Sequence, residues 1–225
     1  MKQPYAHETD CSPMNPPPIR SDPGTFDPRF VPTLDEARRR IAAVLRPGDL
    51  AVDATVGWGR DTVFLAELVG PTGQVVGFEI QDEAIRRARD LLVQRGLQDR
   101  VTLKWLGHER LNDALDNRAV IKAAMFNLGY LPGSDHTVTT RAESTLIALE
   151  AVWRRLDRSG LVTIVCYPGH PGGMEETHAV ASWAADRASS GDAIAWSCAF
   201  LNSRRPPPRL VIVAPTPRPN GNASS

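Results

Sequence analysis

Carboxylates and glycines stand close together in one short segment of the chain. Residues 52–62 read VDATVGWGRDT, with Asp53 and Asp61 on either side of a turn that contains Gly57 and Gly59. The segment follows a short apolar strand and precedes a helical pattern, which is where a Rossmann-like fold binds its nucleotide. Glycines there let the backbone turn sharply and approach a ligand closely. The segment is therefore a candidate ligand-binding loop.

The charges of this loop separate two classes of ligand. A dinucleotide places its pyrophosphate on bare backbone N–H groups and uses a third glycine, which is absent here, and Asp53 and Asp61 would repel phosphate. S-adenosylmethionine (SAM) instead carries an ammonium and a sulfonium, which carboxylates stabilise. Glu79 ends the next strand about 20 residues beyond Gly59, where an acidic side chain can hold two ribose hydroxyls. We therefore predict a SAM site rather than a tight turn in which Asp61 only interacts with the helix dipole.

Other candidate cofactor ligands follow the later strands. His108 and Glu109 come after the third predicted strand, where the adenine edge of such a cofactor lies. His108 could pack on the adenine or hydrogen-bond to it, or it could be a loop or capping residue. The residues predicted to bind SAM are Asp53, Thr55, Gly57, Gly59, Asp61, Thr62, Glu79, Gln81, His108, Glu109 and Asn127.

A loop after the fourth predicted strand has the residues for methyl transfer to an amine. It reads MFNLGYLPGSD from residue 125 to 135, with Asn127 and Tyr130 in an Asn-x-x-Tyr spacing. Methyl transfer needs a nitrogen lone pair aimed along the S–CH₃ bond, and a carboxamide oxygen can accept the amine hydrogens and orient that lone pair. The Tyr130 ring offers a face for an unstacked base. The alternative is an ordinary loop that contains a β-turn.

A second loop, YPGHPGG over residues 167–173, follows the fifth predicted strand. His170 is a candidate proton acceptor, because an aminomethyl nitrogen arrives mostly protonated at neutral pH. Water or Asp135 could accept the same proton. The predicted catalytic set is therefore Asn127, Tyr130, Asp135 and His170.

The elements that position these loops alternate between strand and helix. Strands are predicted over 50–54, 74–78, 101–103, 121–126, 161–166, 193–200 and 210–213. Helices are predicted over 34–45 and from the glycine-containing turn at 56–59 through about residue 68. Further helices are predicted from an Asp82 N-cap to Gly96 and over 139–156 and 174–188. This pattern predicts an α/β fold in one Rossmann-like domain, whose seven strands form a mostly parallel sheet with helices on both faces. The domain is expected over 31–214, between a disordered or loosely attached Pro-rich arm (1–30) and a flexible tail (215–225).

Composition limits the partners and the compartment. The chain has 26 Lys and Arg against 26 Asp and Glu, so no global charge attracts nucleic acid, although local basic runs exist. The three cysteines lack metal-ligand spacing, no apolar stretch is long enough for a bilayer, and the N-terminus lacks the apolar core of a signal peptide. A cytoplasmic protein without metal or membrane contact is expected.

Six motifs in this order resemble the rRNA methylase family of the YtqB/MnmM type. They are VDATVGWGRDT, GFEIQDEAI, GHE, MFNLGYLPGSD, VCYPGHPGG and FLNSRRPPP, and the similarity covers about residues 34–213. The resemblance implies a class I SAM-dependent methyltransferase. Characterised members methylate the aminomethyl group of a wobble 2-thiouridine in tRNA, giving 5-methylaminomethyl-2-thiouridine from 5-aminomethyl-2-thiouridine, so the anticodon stem-loop of tRNA is the implied partner. A homodimer is compatible with the sequence.

The resemblance also carries residue roles. It implies cofactor binding by Asp53, Gly57, Gly59, Glu79 and Gln81, and a substrate-side position for Asn127, Tyr130, Asp135 and His170. Three features depart from the family pattern: Trp58 replaces an Asn, Ser134 and His136 stand in a usual Gly-Gly-Asp-Lys, and the Pro-rich arm is additional. Alternative functions are a SAM-dependent methyltransferase of rRNA or a small molecule, and a SAM- or RNA-binding protein without catalysis.

Overall fold

Seven strands form one sheet in the computed structural model, which describes residues 31–133, 137–201 and 206–217. Their order across the sheet is β3-β2-β1-β4-β5-β7-β6, and only β7 runs antiparallel to its neighbours β5 and β6. The strands are β1 Leu50–Asp53, β2 Gln74–Glu79, β3 Val101–Trp105, β4 Ile121–Asn127, β5 Leu156–Cys166, β6 Ala193–Ala199 and β7 Arg209–Pro215. The predicted mostly parallel seven-stranded sheet is confirmed.

Six α-helices lie within the described residues, the first before β1 and the other five between strands. They are α1 Thr33–Val44, α2 Arg60–Val69, α3 Asp82–Gln94, α4 Leu111–Ala114, α5 Ala142–Trp153 and α6 Gly173–Ser189. Short 3-10 turns cover Gln98–Arg100 and His108–Arg110. Helices α1, α2 and α3 share one buried apolar cluster with the sheet, and α5 and α6 share the other. The sheet therefore carries helices on both faces, as predicted.

The central strands are apolar at nearly every position because both of their faces are covered. Successive side chains of a strand point to opposite faces. Ala51 and Met125 accordingly belong to the α1–α3 cluster, whereas Val52 and Phe126 belong to the α5–α6 cluster. Burial on both sides makes β1 and β4 the rigid centre of the domain.

The order of the strands creates a crevice at the carboxyl end of this centre. From β1 the chain moves outward to β2 and β3, and it then returns to β4 on the other side of β1. Loops that leave β1 and β4 therefore turn to opposite sides and leave space between them, which is where open α/β sheets bind ligands.

The helix predicted over 139–156 is shorter than expected and covers Ala142–Trp153. At its start, the amide of Thr140 donates to the carbonyl of Gly129 over 2.9 Å, so this segment pairs with the preceding loop instead of joining the helix. At its end, Leu156 already belongs to β5. Tertiary pairing overrides a helical pattern at both boundaries.

The N-terminal boundary of α3 also differs from the prediction. Asp82 is the first residue of the helix and not its N-cap, which is Gln81 without a side-chain capping bond. Asp82 instead forms an ion pair with Arg86 one turn later at 2.8 Å. In this position its carboxylate still interacts favourably with the helix dipole.

The predicted domain boundaries stay predictions. β7 ends at Pro215, one residue beyond the predicted end of the domain. Residues 1–30, the expected arm, and residues 218–225, most of the expected tail, lie outside the described residues.

Candidate cofactor and substrate site

A cavity of about 650 Å³ opens at the carboxyl ends of the parallel strands, a volume in the range of small-molecule sites. Loops after β1, β2, β3, β4 and β5 line it. Its walls include ten of the residues predicted from sequence: Thr55, Gly57, Asp61, Glu79, Gln81, His108, Glu109, Asn127, Tyr130 and His170. Asp53, Gly59 and Thr62 do not line it, and Asp135 lies outside the described residues.

Backbone N–H groups of the loop between β1 and α2 already donate hydrogen bonds within the protein. The amide of Thr55 donates to Asp53 Oδ1 (3.1 Å), that of Val56 to the Phe78 carbonyl (3.0 Å), that of Gly57 to Glu79 Oε2 (2.9 Å) and that of Gly59 to the Val56 carbonyl (2.8 Å). A pyrophosphate needs such groups free. Four of them are engaged, so the loop fits a ligand without phosphate better than a dinucleotide.

Asp53 lies behind this loop and holds it together. It is 1% exposed, and its Oδ2 accepts from the Thr62 hydroxyl at 2.6 Å. Burial raises the pKa of the Asp53 carboxyl from 3.8 to about 7, with a smaller contribution from the charge of Asp61. Both Asp53 and Thr62 are buried and support the loop, and their predicted contact with the cofactor stays a prediction.

Gly59 supports the loop through its backbone shape. Its φ is +81°, and a Cβ there would lie 2.9 Å from the Cβ of Ala88 in α3. Only glycine allows this left-handed conformation together with such close packing of loop and helix. Gly59 thus shapes the site without lining the cavity.

Glu79 is held in one orientation at the cavity wall. Its carboxylate accepts from the amides of Gly57, Ile80 and Gln81, each at 2.9 Å. An ionised carboxylate has about four acceptor positions, so one position stays available for a ribose hydroxyl. The predicted role of Glu79 fits this geometry.

Asp61 has a cationic partner that the sequence did not reveal. Arg38 of α1 binds Asp61 Oδ1 through Nη2 at 2.6 Å and through Nε at 2.8 Å. Both side chains line the cavity. The charge of Asp61 is therefore largely balanced within the protein, which leaves Glu79, Glu109 and the buried Asp53 as the negative groups beside the cavity.

His108 occupies a buried position in the 3-10 turn after β3. Its Nδ1 lies 3.1 Å from the Ala54 carbonyl, which can only accept, so Nδ1 carries the proton. Burial lowers the pKa of His108, so the ring is neutral at pH 7 and Nε2 bears a lone pair. The ring also packs against Phe126, with centroids 5.9 Å apart. These contacts favour the alternative of a residue that fixes the loop over an adenine contact.

The backbone of the loop after β4 is held at three successive residues. The amide of Asn127 donates to Thr55 Oγ1, that of Leu128 to the Val165 carbonyl and that of Gly129 to Thr140 Oγ1, each over 2.8 Å. The carboxamide oxygen of Asn127 is buried and accepts no hydrogen bond from the described residues. A fixed backbone therefore presents an unsatisfied acceptor, which is the arrangement predicted for orienting an amine.

His170 has the same character in the loop after β5. Its Nδ1 lies 2.9 Å from the Pro171 carbonyl and therefore carries the proton of the neutral ring. Its Nε2 is buried and has no partner among the described residues. The ring stands edge-on to Tyr130 with centroids 6.0 Å apart. The structure thus brings Asn127, Tyr130 and His170 to one rim.

Trp58 joins the loop between β1 and α2, called here the cofactor loop, to the loop after β4, called here the substrate loop. Its indole N–H donates to the Pro132 carbonyl at 3.1 Å, and the Arg87 guanidinium lies 4.3 Å from the ring centroid. This residue is the departure from the family pattern noted above. The other departures, Ser134 with His136 and the additional Pro-rich arm, lie outside the described residues.

A buried polar cluster behind the substrate loop was missed by sequence reasoning. Glu176 accepts from the hydroxyls of Thr140 and Thr145, each at 2.7 Å, and Thr145 Oγ1 lies 3.5 Å from His108 Nε2. The only sequence signal is an acidic residue soon after the YPGHPGG loop, which reads equally as a first-turn residue of α6. Its function depends on packing that no local pattern reveals.

The described part of the chain contains neither a candidate membrane span nor a candidate metal site. None of its helices is long and apolar enough to cross a membrane. Among the same residues, no three His, Cys, Asp or Glu side chains cluster in a way that could hold a metal ion.

The chain is similar to a family of RNA-modifying proteins. Residues 75–214 match the family described as Putative rRNA methylase. A chloroplastic tRNA (mnm(5)s(2)U34)-methyltransferase of Arabidopsis thaliana is 34% identical over 178 residues, which cover 76% of this chain and 64% of the plant protein. The present chain therefore spans less than two thirds of that relative.

Two crystal structures share the fold over nearly their whole length. A putative rRNA-methylase from Clostridium thermocellum is 39% identical, with a TM-score of 0.79 over 83% of this chain and 98% of its own. A putative methyltransferase from Streptococcus mutans in complex with SAH is 31% identical, with a TM-score of 0.73 over 82% and 98%. The predicted family, Rossmann-like methyltransferase fold and cofactor class agree with these relatives.

We predict that Asp53 makes the protein less stable as the pH rises. In the unfolded chain this carboxyl loses its proton near its ordinary pKa of 3.8, whereas in the folded protein it keeps the proton up to about pH 7. The unfolded state therefore binds fewer protons in this interval, and the free energy of unfolding falls across it and is constant above. Asp53→Asn should remove this decline, measured as the urea midpoint at several pH values.

Asp157→Asn is the matched control for this measurement. Hydrogen bonds from Ser159 hold the pKa of Asp157 at about 2, so its stabilisation is lost only as the pH falls below its ordinary value. The control should leave the slope between about pH 4 and pH 7 unchanged. Equal slopes in the wild type and Asp53→Asn would contradict the assignment.

Proposed function

The chain belongs to the rRNA methylase family, and we propose that it is a SAM-dependent N-methyltransferase of RNA. Its proposed acceptor is the aminomethyl group of 5-aminomethyl-2-thiouridine at the tRNA wobble position, and its product is 5-methylaminomethyl-2-thiouridine. The observation that carries the proposal is the buried carboxamide oxygen of Asn127 at the rim of the cavity, which has no hydrogen-bond partner among the described residues. The plant relative's name supplies the acceptor.

The residues on the cofactor side fit SAM. Glu79 is fixed by three backbone amides and has an acceptor position left for a ribose hydroxyl. Glu79 and Glu109 place negative charge at the wall, where a cationic ligand is stabilised, and Asp53 behind the wall adds charge only where it is ionised, since its pKa is about 7. When bound, SAM supplies a methyl group on a positively charged sulfur.

The residues on the substrate side fit a nucleobase amine. Asn127 Oδ1 is an acceptor for an amine hydrogen, and its main-chain amide is bonded to Thr55 of the cofactor loop, so the two sides are held in register. The Tyr130 ring lines the same cavity and is 40% exposed, which suits a base flipped out of a stack. Orientation of a lone pair in this way is worth several orders of magnitude in rate.

Proton removal is assigned to His170. The ammonium form of the acceptor must lose a proton before its nitrogen can attack, and His170 Nε2 is buried at the rim with no partner in the part of the chain that the structure describes. Asp135 stays a predicted alternative acceptor for this proton, outside the described residues.

Four further features are proposed without support from the geometry of the site. They are recognition of the anticodon stem-loop, a cytoplasmic location, a homodimer and the domain boundaries given above. A methyltransferase of rRNA or of a small molecule would use the same cofactor side. A binding protein without catalysis would have no need of an unsatisfied Asn127 oxygen.

Mass spectrometry of tRNA nucleosides tests the substrate. Cells that lack the gene should accumulate 5-aminomethyl-2-thiouridine, and complementation with the wild-type gene should restore the methylated nucleoside. Complementation with Asn127→Ala should not restore it, because the acceptor nitrogen is no longer oriented. An unchanged nucleoside profile in the deletion strain would move the assignment to another acceptor.

Asn127→Ala should lower turnover and spare cofactor binding. We expect kcat to fall by about 100-fold or more while the Kd for SAM, measured by calorimetry, changes little. Asp53→Ala should instead weaken SAM binding, because the loop loses the acceptor of Thr55 and Thr62. Asn112→Ala is the control, since Asn112 is exposed, accepts from Arg155 and does not line the cavity. Equal loss of SAM affinity in Asn127→Ala and Asp53→Ala would contradict this division of roles.

His170→Ala should lower kcat by about 100-fold near neutral pH, with recovery at alkaline pH, where the amine loses its proton to water. The pH profile of kcat measures this effect. His178→Ala, on the exposed side of α6, is the matched control and should behave as the wild type. Normal turnover of His170→Ala between about pH 6 and pH 8 would exclude His170 as the proton acceptor.

A further inference from the structure

We propose that Glu176 is a positioning residue that holds the Asn127–Tyr130 loop in its active shape through the hydroxyl of Thr140. The proposal rests on the proposed function, because that loop is the one assigned to orient the amine. Glu176 does not line the cavity and touches no proposed substrate position, so its effect is indirect.

Hydrogen bonds run in one direction from the loop to the carboxylate. The amide of Gly129 donates to Thr140 Oγ1 over 2.8 Å, and the Thr140 hydroxyl donates to Glu176 Oε2 over 2.7 Å. Thr140 also donates its own amide to the Gly129 carbonyl at 2.9 Å. One threonine therefore binds both polar groups of Gly129, and the orientation of its hydroxyl depends on Glu176.

A carboxylate is the side chain that enforces this direction. An ionised carboxylate can only accept, so the Thr140 proton must point to Glu176, which leaves a lone pair of the hydroxyl for the Gly129 amide. A hydroxyl free to rotate could present its proton to that amide and break the bond. Glutamine has nearly the same shape, but its NH₂ group can donate to Thr140 and compete with Gly129.

The position of Gly129 makes the loop sensitive to this bond. Gly129 has a φ of +123° and stands between the two residues assigned to the amine and the base, Asn127 and Tyr130. Its amide and carbonyl are the contacts that hold this turn against the segment before α5. Loss of the hydrogen bond from the Gly129 amide to Thr140 Oγ1 allows the Asn127 oxygen to move. A small displacement of a group that orients the substrate lowers kcat more than it lowers affinity.

The same carboxylate also reaches the cofactor side of the site. Glu176 Oε1 accepts from the Thr145 hydroxyl over 2.7 Å, and Thr145 contacts His108, whose Nδ1 binds the Ala54 carbonyl at the end of β1. Because Thr145 gives its single proton to Glu176 and His108 Nε2 is a lone pair, their 3.5 Å contact lacks a proton. The stronger branch of the cluster is therefore the one to the substrate loop.

Stability alone explains this carboxylate poorly. Glu176 is 2% exposed, and among the described residues its oxygens accept from threonines and not from a basic side chain. Burial of a carboxylate without a cation is costly, and a well-packed apolar residue is often neutral or stabilising at such a place. The start of α6 offsets part of the cost through its dipole.

Glu176→Gln tests the proposal, with Glu150→Gln as the matched control. Glu150 also joins α5 to α6, through the Trp183 indole at 2.8 Å and through Arg187, but it does not reach the loop. We expect Glu176→Gln to lower kcat on tRNA by about tenfold to 100-fold, with the Kd for SAM within about twofold. Glu150→Gln should keep the wild-type kcat. Wild-type kcat in Glu176→Gln would overturn the proposal.

Variants of Thr140 test the route of the effect. Thr140→Val removes the hydroxyl and should reproduce the loss, whereas Thr140→Ser keeps it and should retain most of the kcat. Because both residues act through one bond, the double variant Thr140→Val with Glu176→Gln should be no slower than the slower single variant. If the fold-losses in kcat of the two single variants multiply in the double variant, the proposed route is wrong.

Hydrogen exchange gives a measurement that needs no methyl transfer. The Gly129 amide should exchange about tenfold faster in Glu176→Gln and Thr140→Val than in the wild type and in Glu150→Gln. If the wild type fails to methylate tRNA while this pattern holds, the proposed function is wrong and the positioning contact stands. Unchanged exchange in both variants would overturn the positioning role itself.

Discussion

The shape of the site depends on the buried carboxylate of Asp53 at the end of β1. Asp53 accepts from the Thr55 amide and the Thr62 hydroxyl, and so it determines how the chain turns from strand to helix. The Thr55 hydroxyl in turn accepts the Asn127 amide from β4. The cofactor loop and the substrate loop are thus joined through one threonine, and both are anchored to the rigid centre of the sheet.

This arrangement places negative charge where a cationic ligand can use it. Asp61 is balanced by Arg38, whereas burial holds the pKa of Asp53 at about 7, so near neutral pH this carboxyl is partly protonated. A nearby positive charge favours the ionised form and would lower that pKa. Asp53 would then lose its proton on binding, so the affinity for a cationic ligand would rise with pH up to about pH 7.

Apolar periodicity was sufficient to predict the fold. Strands such as β1 and β4 are apolar runs bounded by polar or glycine-containing turns, and both faces of the sheet are covered, so local pattern and tertiary structure agree. The start of α5 was predicted too early because Thr139 and Thr140 look helical locally but pair with the loop at Tyr130 and Gly129. Such pairing depends on distant residues and leaves no periodic signal.

The candidate site was predictable only in part, for a similar reason. Residues at the carboxyl ends of strands, such as Glu79 and Asn127, do line the cavity, because the topology brings these strand ends together. Asp53 and Thr62 belong to the same motif but face the interior, and the side to which a residue points at a strand end depends on the packing of the next helix. Glu176 was missed because its partners are far away along the chain.

Within the described residues, two buried side-chain acceptors lack a hydrogen-bond donor beside loops whose backbone amides are engaged. The amides of Thr55, Val56, Gly57, Gly59, Asn127, Leu128 and Gly129 all donate within the protein, and the Trp58 indole closes the gap by donating to Pro132. Buried polar atoms in a native fold are normally satisfied. The Asn127 oxygen and His170 Nε2 stay buried and unpaired in the described part of the chain, although the backbone amides named above are all engaged. A site for a substrate with N–H groups needs acceptor atoms that the protein itself leaves without a donor, held in place by a hydrogen-bonded backbone. A donor from the substrate can then form hydrogen bonds that the fold does not make.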